Sequence, residues 1–162
     1  MEKGHSMENS ISKENNHYKK LAIMAVLSFI SMYILMYAMV DKFENVVLNI
    51  NQFYMAGLMA SPMIFIEVLL MKMMYKDHKL NAIIVVVSMI ALIVFYFFIR
   101  KQTAVSDEQF LKSMIPHHSG AILMCGEANI QDPEVKKLCE SIIESQEKEI
   151  AEMRAILKRM EK

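Results

Sequence analysis

Twelve residues concentrate the ligand chemistry of this chain: Met114-Ile-Pro-His117-His118-Ser-Gly-Ala-Ile-Leu-Met124-Cys125. Two adjacent imidazoles, two thioethers and a thiol are the soft and borderline donors that select Cu(I) among biological metals. A second stretch, from Cys139 to Met160, adds another cysteine together with Met153 and Met160. Calcium or magnesium would instead require several converging carboxylates, and the apolar side of this segment offers none.

The elements that must position these donors are two helices. Ser106-Asp-Glu-Gln109 predicts a helix start, with Ser106 as N-cap and Gln109 closing a capping box. Phe110, Met114, His118, Ala121, Cys125 and Ala128 then follow at helical spacing, and Pro116 within that pattern predicts a break or kink near Met114-Ile115. Asp132-Pro133 marks a turn, with proline at the first position of the next helix. The apolar side of that helix carries Val135, Leu138, Cys139, Ile142, Ile143, Gln146, Ile150, Met153, Ile156, Leu157 and Met160. An antiparallel hairpin turning near Asp132 places Cys125 opposite Cys139, His118 opposite Gln146 and Met114 opposite Ile150, with Met153 one turn beyond. The soft donors thereby gather along one seam.

Each donor also has a plainer explanation. Methionine is a flexible core filler, so Met114, Met124, Met153 and Met160 fit a helix seam without any metal. His117 and His118 point about 100° apart on one helix, so both reach one ion only if Pro116 redirects them. Cys125 and Cys139 leave two readings open: a disulfide pinning the hairpin, or a pair of thiolate ligands.

The pattern Phe110-x-x-x-Met114-x-x-His117-His118-x-x-Ala121-x-x-Met124 is followed by Asp132-Pro-Glu, then Ile142-Ile-x-x-Gln146-x-x-Glu149-Ile150-x-x-Met153. Together these resemble the domain-of-unknown-function 305 family over residues 106–157. That resemblance implies a ferritin-like helical domain exported from the cytoplasm, which binds copper through His and Met and in some members is linked to copper resistance. By motif position it carries over Met114, His117, His118, Met124 and Met153 as ligands. Cys125 and Cys139 lie outside the family pattern and join the candidate metal residues on chemistry alone. Family members are often secreted with a signal peptide, and the resemblance does not account for the apolar half of this chain.

That half reads as membrane anchor. The 162 residues are 54% hydrophobic with a mean hydropathy of +0.26, high for a soluble domain. Residues 1–18 are polar and predict a disordered cytoplasmic tail. Residues 19–101 form the membrane domain, with apolar stretches at 21–40, 53–74 and 82–99 that are each long enough to span a bilayer. Lys13, Lys19 and Lys20 precede the first span, and Lys72, Lys76 and Lys79 lie between the second and third. Lys42 stands almost alone between the first two. By the positive-inside rule the N-terminus is cytoplasmic, and residues 102–162 are the helical metal-binding domain on the periplasmic or extracellular side of a bacterial inner or cell membrane; only Arg100-Lys101 sits against the rule. Met55, Met59 and Met63 recur every four residues with Glu67 next on the same face, either a packed helix face or a Cu(I) ladder ending in a carboxylate.

The fold expected is all-α: three transmembrane helices, then a ferritin-like hairpin. Sixty residues of hairpin hold little core, so it should lean on the membrane helices or complete a four-helix bundle as a homodimer. The 18 basic and 18 acidic side chains balance, which leaves no field to attract nucleic acid. The function expected is a non-enzymatic, membrane-anchored protein that sequesters or hands on Cu(I) or Cu(II). A second reading is a metal-transport or regulatory membrane subunit working through Glu67 and the Met stripe. A third is a ferritin-like di-metal oxidoreductase, but such sites need inward Glu-x-x-His motifs from several helices, and residues 102–162 contain none.

Overall fold

The computed structural model describes residues 2–161, with side chains from Asn16 onward, and is all-helical with no strand among them. The helices are α1 (Glu2–Leu35), α2 (Ile50–Leu70), α3 (His78–Lys101), α4 (Asp107–Glu127) and α5 (Pro133–Met160). Short 3-10 turns at Met36–Met39 and Phe43–Asn45 interrupt the connector between α1 and α2. The helix of α1 runs back to Glu2, through the tail expected to be irregular.

Three segments are long and apolar enough to cross a membrane: Asn16–Met39, Ile50–Leu70 and His78–Lys101. The first and third leave their apolar faces largely uncovered, with Ile23, Leu27, Ile83, Val87 and Phe97 all more than half exposed, whereas a third of the second is buried. The second span sits three to four residues earlier than hydropathy alone suggests. Capping explains the shift: Asn49 Oδ1 accepts the backbone N–H of Gln52 at 2.9 Å, starting α2 at Ile50, ahead of Phe53. Asp77 does the same for α3, accepting from Lys79 and Leu80 at 2.9 and 3.0 Å.

The chain divides into two compact units. The first contains residues 1–33 and 54–101. Its buried cluster is Leu21, Val68 and Tyr75, with Tyr18, Met24, Ile84 and Val85 packed around it. The Tyr18 ring lies 5.2 Å from that of Tyr75, and its hydroxyl donates to Asn81 Oδ1 at 2.8 Å. Tyr54 of α2 packs on Phe98 of α3 at 5.3 Å, and Gly57 lies so close to the Phe95 ring that no Cβ fits between them. Glu67 is not deep in a span. It stands in the last turn of α2, half-buried and hydrogen-bonded to the Tyr75 side chain. Met55, Met59 and Met63 are all exposed rather than packed.

The second unit contains residues 34–53 and 102–162. Helices α4 and α5 form the expected antiparallel hairpin around Leu111, Ile115, Ile150 and Met153, and Val47 from the connector packs against the same cluster. Pro116 is buried and α4 continues through it. A proline inside a helix removes a backbone hydrogen bond and crowds the carbonyl four residues earlier, and burial of both flanking turns, at Leu111, Ile115, Ser119 and Gly120, offsets that cost. The capping box at Ser106 is half-formed: Ser106 Oγ accepts from Gln109 N at 3.3 Å, but the Gln109 side chain turns away to accept the Ile50 backbone N–H at 2.9 Å.

The connector is the hairpin's third layer. Ser119, fully buried on α4, accepts the Asp41 backbone N–H at 2.9 Å and donates its own hydroxyl to the Asp41 carboxylate. Asn45 Nδ2 donates to the same carboxylate at 2.8 Å. Arg154 on α5 donates to the Glu44 carbonyl at 2.5 Å and to Asn45 Oδ1 at 2.7 Å. Residues 40–49 lie between the first and second apolar segments, and residues 102–161 follow the third. The two helices between them, α2 and α3, are an even number of apolar segments, which is compatible with both parts lying on one side of a membrane.

Candidate metal-binding face

His118 projects from the middle of α4 toward α5, its side chain 15% exposed, with Nε2 3.4 Å from Glu149 Oε2. The level-for-level pairing expected His118 to meet Gln146. Long side chains on a helix lean toward its N-terminus, so on antiparallel neighbours the tips of His118 and Glu149 approach across a gap their backbones do not close. The short Cys125 and Cys139 side chains lean less, and they meet at the expected level: both are half-buried free thiols, hydrogen-bonded to one another.

The electrostatics follow from this packing. Burial pushes the His118 imidazole below its ordinary value of 6.5, the Glu149 carboxylate pulls the other way, and the neighbouring His117 adds to the lowering. Neutral imidazole, the form that ligates metal, is thereby favoured. Nδ1 of His118 is buried and has no hydrogen-bond partner. The Cys125 thiol is pushed up to about 11, first by its hydrogen bond with Cys139 and then by burial, so it is a thiol rather than a thiolate at neutral pH.

The structure separates the other candidates. Met114 is half-buried against the hairpin core and Met153 is part of that core. Met124 lies 54% exposed on the outer side of α4. His117 is exposed, its ring 6.1 Å from that of His118 and turned by 71°. Phe110, His117 and Met124, spaced by seven residues, form one exposed stripe of α4. Among the described residues no three His, Cys, Asp or Glu side chains converge as a metal site. What one chain assembles is the pair His118–Glu149, with His117 beside it and the cysteine pair two turns along α4.

Glu149 is the residue that reasoning from the apolar seam missed. Its signal was its place in the motif, three residues after Gln146 and four before Met153. Asp41, Asn45 and Arg154 carried no comparable signal, because their partners are distant in sequence.

Comparison with known proteins bears on the same region. The family described as "Domain of unknown function (DUF305)" matches residues 69–157, so the likeness begins in α2 and takes in α3, well before Ser106. An uncharacterized protein of Acanthamoeba polyphaga mimivirus is 36% identical over 140 residues, covering 85% of this chain and 90% of that protein. No solved structure matches.

Proposed function

The chain belongs to the DUF305 family, and from that premise we propose that it is a membrane-anchored copper-binding protein, which sequesters copper or passes it on through His and Met side chains on the exoplasmic side of the bilayer. The observation that carries this reading is the half-buried His118: an imidazole held neutral by burial, with one nitrogen unpartnered and Glu149 against the other. A structural histidine normally has both nitrogens engaged. The unpartnered one fits a borderline metal better than water, and the thioethers on either side of it in sequence are soft donors. Binding is by coordination, without turnover.

A second copy of the chain, covering the stripe of Phe110, His117 and Met124, would complete a four-helix bundle and bring further His and Met donors to a face where one chain assembles too few. The exoplasmic placement rests on the lysines before the first span and between the second and third.

The test uses the full-length protein in detergent, because the connector is part of the hairpin's core. Cu(I) is titrated under reducing conditions against a competing chelator. Tight binding that collapses in His117→Ala/His118→Ala and survives in Glu67→Gln is the expected result. Binding that ignores the histidines and fails in Glu67→Gln would transfer the function to the membrane helices.

A further inference from the structure

At the end of the first unit that carries residues 71–77, a pocket of about 410 Å³ opens between α2 and α3. One wall is apolar, made by Val68, Leu69 and Val85, and the rim is polar, with Lys72, His78 and Asn81. The apolar wall belongs to two membrane-spanning helices and the rim to their ends, so the pocket runs from hydrocarbon depth to headgroup depth. Its volume is in the range of small-molecule sites.

The charge around the rim is one-sided. Lys72, Lys76 and Lys79 make no ion pair among the described residues. The nearby acids are otherwise engaged: Asp77 caps α3 and Glu67 is bonded to Tyr75. Asn81 holds the rim in shape, accepting from Tyr18 and donating to the Tyr75 carbonyl at 2.8 Å each.

We propose that this pocket is a binding site for an anionic phospholipid, with the phosphate read by Lys72 and His78 and an acyl chain lying along Val68, Leu69 and Val85. A free phosphate would use the rim and leave the apolar wall uncovered. A neutral lipid would use the wall and leave the lysines unpaired. Only a lipid bearing net negative charge satisfies both, and basic residues at span ends attract such lipids. The inference rests on the three spans and is independent of copper binding.

Retained lipid on the full-length detergent-purified protein is counted by native mass spectrometry after incubation with phosphatidylglycerol or phosphatidylcholine. Preferential retention of phosphatidylglycerol is expected, with Lys72→Gln reducing it about fivefold, the equivalent of about 1 kcal/mol. Lys19→Gln/Lys20→Gln should change it less than about twofold, since those lysines lie off the pocket. Val85→Phe, which narrows the apolar wall, should reduce retention with the charges intact, and keeps the test open should Lys72→Gln fold poorly. Equal retention of the two lipids would overturn the proposal, as would equal losses from the Lys72 and Lys19/Lys20 variants. Displacement of bound lipid by inorganic phosphate at matched concentration would likewise assign the rim to a free anion.

Discussion

Removing one oxygen from Ser119 should release the connector from the hairpin. In Ser119→Ala the Asp41 backbone N–H loses its acceptor and the Asp41 carboxylate loses one of its two side-chain donors, where Ser119 is fully buried and Asp41 half-buried. A stranded buried donor costs about 1–3 kcal/mol, and a bond to a charged acceptor contributes about 1.5–3 kcal/mol. The two overlap, because Asn45 still serves the carboxylate and the small void permits some relaxation. The net cost expected is about 2–4 kcal/mol. The loss falls on local opening of residues 40–49 rather than on the α4–α5 core of Leu111, Ile115, Ile150 and Met153. Amide hydrogen exchange on the full-length protein in detergent should therefore show protection of residues 40–49 falling by about thirty- to several-hundredfold, while the middle of α5 changes little. Unchanged exchange at Asp41 would refute the reasoning, because the Ser119 bond would then carry no stability. A uniform loss across α4 and α5 would refute it differently, by making the connector inseparable from the hairpin.

Three further outcomes follow from contacts already described. Burial alone would raise the Asp41 pKa, but the hydrogen bonds from Ser119 and Asn45, with Lys42 adding backbone and charge contributions, outweigh it and hold the carboxyl below 3.8. The connector's stabilisation is thus complete above that unfolded value and fades as pH falls through the lower folded one; protection at residues 40–49, corrected for the intrinsic exchange rate and measured from pH 5 downward, should fall there, and in Ser119→Ala at a higher pH. Met153→Ala should cost about 2–5 kcal/mol as a core truncation, whereas Met124→Ala should stay within about 0.5 kcal/mol in denaturant melts; a loss of copper affinity in Met124→Ala would then be a loss of a ligand and not of the fold. Gly57→Ala should lower the thermal midpoint of the first unit through overpacking worth about 1–3 kcal/mol, and Phe95→Leu in the same chain should recover part of it.

The elements were legible in the sequence because each is written locally. Twenty apolar residues between charges mark a span, Ser106 marks a helix start whose N-cap forms as expected, and Asp132-Pro133 marks the turn into α5, which Asp132 also caps. The hairpin register was legible at the cysteines, where side chains are short. It failed at His118, where the lean of a long side chain decides the partner. Gln109 shows a local signal overridden: the capping box it could close is exchanged for a bond to Ile50, 59 residues away. The connector was not legible at all. Asp41, Glu44 and Asn45 resemble any polar loop, and nothing in local periodicity says that such a loop will be held by Ser119 and Arg154.

The connector also sets an order of events during synthesis. Residues 34–53 leave the ribosome with the first two apolar helices, long before Ser119 is made and longer still before Arg154. Until α4 and α5 arrive, Asp41 and Asn45 lack the partners that Ser119 and Arg154 supply, and Val47 has no core to join. The second unit cannot be finished by its own C-terminal residues. It closes only when a late segment returns to an early one, so a chain truncated before Arg154 would expose the vacant connector to whatever surveys unfinished proteins at that membrane.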